Sequence, residues 1–227
     1  MIIDKNGFYD LSLVNDSEVI ISKNIVASFY DDGTHSKKIF LGENSIVEFS
    51  GFIMDNENHN IEFFQNKENS NLKVKYLLYS VNDKKIRSRI YSNIKSNHSK
   101  SDVKIFSIIG EKGNIDLDGI VEISKGFTKM IGHLVEDNLF LGETGKMKGV
   151  PTLLVRSDDV EASHSCKIEK ISSDKLFYLR SRGIEEKTAL MILLEANIKS
   201  IFSCLSMVDN EFYTNLISKI TTILYKE

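Results

Sequence analysis

Two side chains two positions apart, His164 and Cys166, combine an imidazole nitrogen with a soft thiol sulfur, donor types found at transition-metal sites. On an extended segment, alternate residues share a face, so both donors point the same way. Two donors do not complete a coordination sphere, so a metal held here needs further ligands from outside the pair. Taken alone, a His-x-Cys pair on a strand is more often structural. Cys204 lies among Ile201, Phe202 and Leu205 and reads as a buried small hydrophobe. With no other sign of an oxidising compartment, both thiols are expected to be free. Asp158 and Asp159 are neighbours and would face opposite sides of a strand, which favours local turn hydrogen bonds over an acid/base pair. His35, His59, His98 and His133 lack ligand spacing and read as ordinary surface or core residues.

A second group has the composition of a protein-binding patch. Phe177, Tyr178, Arg180 and Arg182 place aromatic rings beside guanidinium groups, a mixture enriched at interface hot spots. The arginines also oppose the negative end of a helix, and Phe177 could equally be core. No Gly-rich loop followed by Lys and Ser or Thr is present, so no nucleotide is expected to bind this chain.

Up to about Arg156 the chain favours strands: Glu18 to Ser22, Ile46 to Met54, Lys73 to Val81, Val103 to Ile109 and Asn114 to Ile123 are β-branched and aromatic runs. In the last of these the alternation predicts a bulge or phase slip at Gly119. Few hairpin signals occur, Asp32-Gly33 excepted, which admits a solenoid of stacked coils. No exact repeat appears, and pattern alone leaves a β-sandwich or jelly roll equally open. Past Ser172 the period becomes helical. One helix is predicted over Ser173 to Arg182, ending at Gly183. A second, led by Glu185 and Glu186, is apolar nearly all round and is expected to be buried. A third carries Phe212, Leu216, Ile220 and Leu224, and the three are expected to cap the β-region.

Of the 227 residues, 41% are hydrophobic and 27% charged, and the net charge of −3 is spread along the chain. That balance fits a water-soluble fold and gives nucleic acid no basic field to bind. The longest apolar run, Ala189 to Leu194, is far too short to span a bilayer, and Met1 to Lys5 show no export leader. A cytoplasmic protein without membrane or nucleic-acid partners is expected.

The segment Asp158-Asp159-Val160-Glu161-Ala162-Ser163-His164, followed by Leu176-Phe177-Tyr178-Leu179-Arg180-Ser181-Arg182-Gly183-Ile184, resembles the carboxy-terminal signature of the SufB/SufD family of iron–sulfur cluster assembly proteins. Gly119 to Gly132, Gly142-Glu143 and Pro151-Thr152-Leu153-Leu154-Val155 are similar to the last coils of that family's body, and the resemblance covers about Ser101 to Leu194. It implies a mainly β chain, a right-handed parallel β-helix over residues 1–171, followed by a small α-helical domain over 172–227. It also implies a SufD-like scaffold without catalysis of its own. Its partners would be a SufC-like ABC ATPase and a second β-helix, either a SufB-like paralogue or a second copy. The ATPase contact falls to Phe177, Tyr178, Arg180, Arg182, Gly183 and Ile184. His164 matches the family histidine at the paired interface, where a transient iron–sulfur cluster is assembled. Two departures stand out. An amino-terminal helical region usual in the family is not expected here, and Ser165 and Cys166 replace the usual Gly and small residue. The alternatives are a β-helical carbohydrate-active enzyme, against which the absence of Trp counts, and a purely structural solenoid.

Overall fold

Short strands bury an apolar face only if something stacks on it, and here each strand is met by its counterpart one coil later. The computed structural model describes residues 1–171 and 173–226. Sheet I stacks β1 (Ile2–Ile3), β3 (Glu18–Ile21), β5 (Lys37–Phe40), β7 (His59–Gln65), β9 (Lys85–Ile94), β11 (Asn114–Ile123) and β13 (Lys146–Gly149), with β14 (Thr152–Val155) also on β11. Sheet II stacks β2 (Gly7–Asp10), β4 (Val26–Asp31), β6 (Ile46–Met54), β8 (Asn71–Ser80), β10 (Lys100–Ile109), β12 (Met130–Phe140) and β15 (Val160–Lys170). Neighbouring strands within each sheet run parallel. The chain crosses from one sheet to the other after nearly every strand, which makes a parallel β-helix and not a sandwich. Helices α1 (Ser173–Ser181), α2 (Glu186–Ile201), α3 (Leu205–Val208) and α4 (Asn210–Lys226) follow. The domain boundary expected at Ser172 lies outside the described residues, as does Glu227.

The repeat is present in conformation although no fixed period appears in the sequence. Asn24, Asn44, Asn69, His98 and Lys129 all adopt positive φ at the same corner, just before β4, β6, β8, β10 and β12. The amide of each of the first four donates to a carbonyl of the next coil: Asn24 to Glu43, Asn44 to Glu68, Asn69 to Asn97 and His98 to Thr128. Asn tolerates the left-handed conformation best among non-glycine residues, which explains its frequency there. The coils also lengthen. Gly7 pairs with Ala27, an interval of 20 residues, whereas Lys100 pairs with Ile131, an interval of 31. Strands of sheet II grow in step, through 4, 6, 9, 10, 10, 11 and 11 residues.

Inward residues of both sheets form the core, including Phe29, Phe49, Phe63, Val74, Ile105, Val121 and Leu134. Phe29 and Phe49 stack at 5.5 Å, and Phe63 meets Phe49 edge-on at 5.1 Å. Fully burying each such ring contributes about 2–3 kcal/mol. Strands of sheet II alternate in their first half and become continuously buried in their second. In β8, Lys73 is exposed on the outer face, while Leu77 and Tyr79 on that same face are covered. The helices account for the change, because Leu77, Tyr79, Phe106 and Ile108 pack with Leu194, Ile198, Ile201, Leu216 and Ile220. Ser50 Oγ donates to the Ile201 carbonyl, and Lys75 Nζ donates to the Ser200 carbonyl, fixing the join.

Three expectations need correction. The helices do not cap the stack: they lie along the outer face of sheet II, because that face carries the apolar residues their own stripes require. Among the described residues four helices form instead of three, since the short α3 precedes α4. Gly119 produces no phase slip, because β11 stays in register with β9 from Asn114 to Ile123 and Gly119 takes an inward position.

Candidate functional site at the last coil

No strand follows β15 on sheet II, so it is the edge of that sheet and its inward positions meet solvent instead of another coil. His164 stands beside Leu134 and Cys166 beside Glu136 in the parallel register with β12. Leu134 and Glu136 are fully buried inward residues, so His164 and Cys166 share the inward face of an uncovered strand. Both are exposed. Around the same open end are exposed Val150, Val155 and Ile168, the last 65% accessible. Pro151 divides sheet I's last layer into β13 and β14, which pair with opposite halves of β11.

Cys166 is a free thiol, and Asn138 Nδ2 approaches its sulfur at 3.6 Å. Partial burial, then the charge of Glu136, push the thiol up from its ordinary value, against the Asn138 contact, which lowers it. The free protein therefore favours the thiol over the thiolate. Glu136 itself was not singled out from sequence. Its carboxyl is pushed up to about 7 by burial and then by the charge of Asp118. Neither of its oxygens has a hydrogen-bond partner among the described residues. Among those residues no group of three or more His, Cys, Asp or Glu side chains is placed to hold a metal ion. His164 and Cys166 offer a nitrogen and a sulfur donor of the kind transition metals take, and two donors do not complete a coordination sphere.

Asp158 and Asp159 fall in the bend before β15, where Asp159 Oδ2 accepts from the Lys129 amide at 3.3 Å. That is a corner contact. His133 lies on the outer face, with Nδ1 2.8 Å from Ser163 Oγ, and His98 occupies a coil corner. His59 is buried: Nδ1 lies 2.8 Å from Ser88 Oγ, and Nε2 lies 3.4 Å from Asp31 Oδ2 without a hydrogen bond, while that oxygen accepts from the Tyr76 hydroxyl at 2.7 Å. This Ser–His–Asp order has the partners of a nucleophilic triad without its access, since Ser88 is 1% exposed. A shallow groove on the outer face of sheet I, of about 700 Å³, is lined by Asp116, Asp118, Arg87 and Arg89. Its carboxylates pair with its arginines, Asp116 with Arg87 and Asp118 with Arg89, each at 3.6 Å.

Of the expected partner-binding residues, Phe177, Tyr178 and Arg180 stand on α1, which has no buried residue, and Arg182, Gly183 and Ile184 follow in the turn after it. Phe177 is 73% and Tyr178 58% exposed, so Phe177 is not core. The Arg182 guanidinium lies over the Tyr178 ring at 5.4 Å, and Arg180 pairs with Glu186 at 2.9 Å. Gly183 has positive φ, and the Ile184 amide bonds back to the Leu179 carbonyl, a helix end that glycine permits without strain. Ile184 is half-buried. No described helix is long and apolar enough to cross a membrane.

Comparison with known proteins places these features in a family. Residues 31–197 match the family described as SUF system FeS cluster assembly, SufBD core domain. The chain is 28% identical over 138 residues to the iron–sulfur cluster assembly protein SufD of Escherichia coli, covering 61% of this chain and 33% of that protein. It is 34% identical over 103 residues to an iron–sulfur cluster assembly SufBD family protein of Pyrococcus horikoshii, covering 45% and 21%. A SufBD family protein of Synechocystis is 26% identical over 140 residues, covering 61% and 30%. The chain thus spans a third or less of the length of these relatives. The matched region runs from the end of β4 through the later coils, β15 and α1 into α2, and the chain belongs to the SufBD family.

Proposed function

We propose that this chain is a non-catalytic scaffold in iron–sulfur cluster assembly, pairing through its last coil with a second β-helical subunit. The observation that carries the reading is β15. It is an 11-residue edge strand whose inward face, with His164 and Cys166, is left open at the end of a stack that buries the equivalent positions elsewhere. Unpaired strand edges bind other strands, and the exposed Val155 and Ile168 add apolar surface to the same region. A paralogue or a second copy would supply the remaining ligands for a transient cluster. The exposed ring-and-guanidinium surface of α1, with Gly183 and Ile184 at its end, supports docking of an ABC-type ATPase, which would supply the nucleotide chemistry.

Anaerobic reconstitution with iron and sulfide in the presence of the second subunit tests the cluster role. Visible absorption is expected, and His164→Ala should reduce it severalfold. Equal reconstitution by His164→Ala removes that residue from the site. Replacing Tyr178 and Arg180 together by Ala should weaken co-purification of the ATPase while leaving the β-helix pairing intact. Unchanged recovery takes α1 out of the interface.

A further inference from the structure

Four polar atoms beneath the open coil lack hydrogen-bond partners among the described residues: both carboxylate oxygens of Glu136, Oδ1 of Asn138 and Oγ of Ser107. They belong to one place. Ser107 pairs with Asn138 between β10 and β12, two residues along from Ile105 beside Glu136, and Glu136 pairs in turn with Cys166 on β15. All three residues are buried, Glu136 at 0% exposure, and inward Ile105, Leu117, Val121 and Leu134 are apolar. An unmet buried acceptor costs about 1–3 kcal/mol, and more when it is charged, so a carboxyl kept in such surroundings calls for a counterpart.

The backbone opposite is shaped for that carboxyl. A Cβ at Gly119 would collide with Glu136 Oε1, so the absence of a side chain there is what admits the group to the interior. Asn138 Nδ2 approaches Cys166 Sγ, bringing the thiol to the same side. Carboxylate oxygens, an amide oxygen and a hydroxyl are acceptors that want a cation or donor, and the neighbouring sulfur makes a borderline divalent metal the best match.

We propose that Glu136 is an interior ligand that holds a divalent metal ion together with Cys166, the class of ion including iron(II), zinc and cobalt(II). The proposal rests on the reading of the last coil as an iron-handling site and adds to it a donor from within the solenoid. On binding, the Cys166 thiol loses its proton to solvent and a metal–sulfur bond forms, with no change of oxidation state. Water or a donor from the second subunit fills the other positions, since the described residues place no third His, Cys, Asp or Glu side chain there.

The test uses the full chain under anaerobic conditions with cobalt(II) alone, read by the thiolate-to-cobalt charge-transfer band in the near ultraviolet. A saturable band is expected. Cys166→Ser should abolish it, and Glu136→Gln should weaken the apparent affinity at least tenfold with the thermal unfolding midpoint no lower than that of the unaltered protein. Gly119→Ala, which displaces the carboxyl without removing it, should weaken binding in the same direction. Absence of a band in the unaltered protein, or a Glu136→Gln titration that superimposes on it, overturns the proposal. Pairing with the second subunit, measured without metal, is expected to be indifferent to Glu136→Gln. The scaffold reading therefore stands or falls separately.

Discussion

Middle coils and the last coil are built by the same alternation, yet their inward faces meet opposite surroundings. In β10 and β12 the inward residues Ile105 and Leu134 are completely buried, while on β15 the inward His164, Cys166 and Ile168 are exposed. What differs is the next coil, present for one and missing for the other. In a stacked architecture, burial is a property of position in the pile, so a strand with core-like spacing can be surface.

The largest test of that contrast is in the middle. Phe63 is fully buried against Phe49, and Phe63→Ala should lower unfolding free energy by about 3–5 kcal/mol in urea denaturation. A loss under 1 kcal/mol would mean that the interior is not tightly packed. Gly51→Ala probes the same packing from the other direction. Its methyl would meet the Tyr76 ring, which is buried and anchored through its hydroxyl to Asp31, so a cost of about 1–3 kcal/mol is expected.

Glu136 lies where the two environments join. Its folded-state value, about 7, is above the ordinary 4.5, so the folded protein holds that proton more tightly than the unfolded chain. The metal-free protein should therefore be most stable at or below about pH 4.5 with respect to this group. It should lose on the order of 2 kcal/mol as pH rises through 7. Glu136→Gln should flatten that part of the pH profile; parallel profiles for the two proteins would contradict the burial account. The smallest effect belongs to the open face. Ile168→Ser should change the stability of the isolated chain by less than about 0.5 kcal/mol. A cost comparable to that of Phe63→Ala would show the last coil to be covered in solution.

Much of the body was legible because its rules are local. Ile46–Met54 and Asn114–Ile123 could be read residue for residue from β-branched spacing, and Gly183 marked the end of α1. The repeat was not legible as a period, because each coil is free to lengthen at its corners while Asn24, Asn44 and Asn69 keep the same conformation. The position of the helices was also hidden. Leu77, Leu78 and Tyr79 form an apolar run that reports burial on both faces without saying what lies outside. At the last coil, His164 was singled out through the family resemblance, and Cys166 because it lies two residues on along the same strand. Glu136 was missed because it lies 30 residues from Cys166 in sequence and becomes its neighbour only through the parallel pairing. An acidic residue in an inward phase, opposite a glycine, was the available signal.

The steady growth of the rungs has a geometric consequence. A prism whose perimeter increases along its axis has a narrow apex and a broad base, so its ends are not interchangeable. β15 lies at the broad end, where it equals β12 in length. A partner set against β15 would meet a strand of 11 residues and one set against β2 a strand of 4, so the two ends of sheet II offer unequal areas before any side chain is consulted.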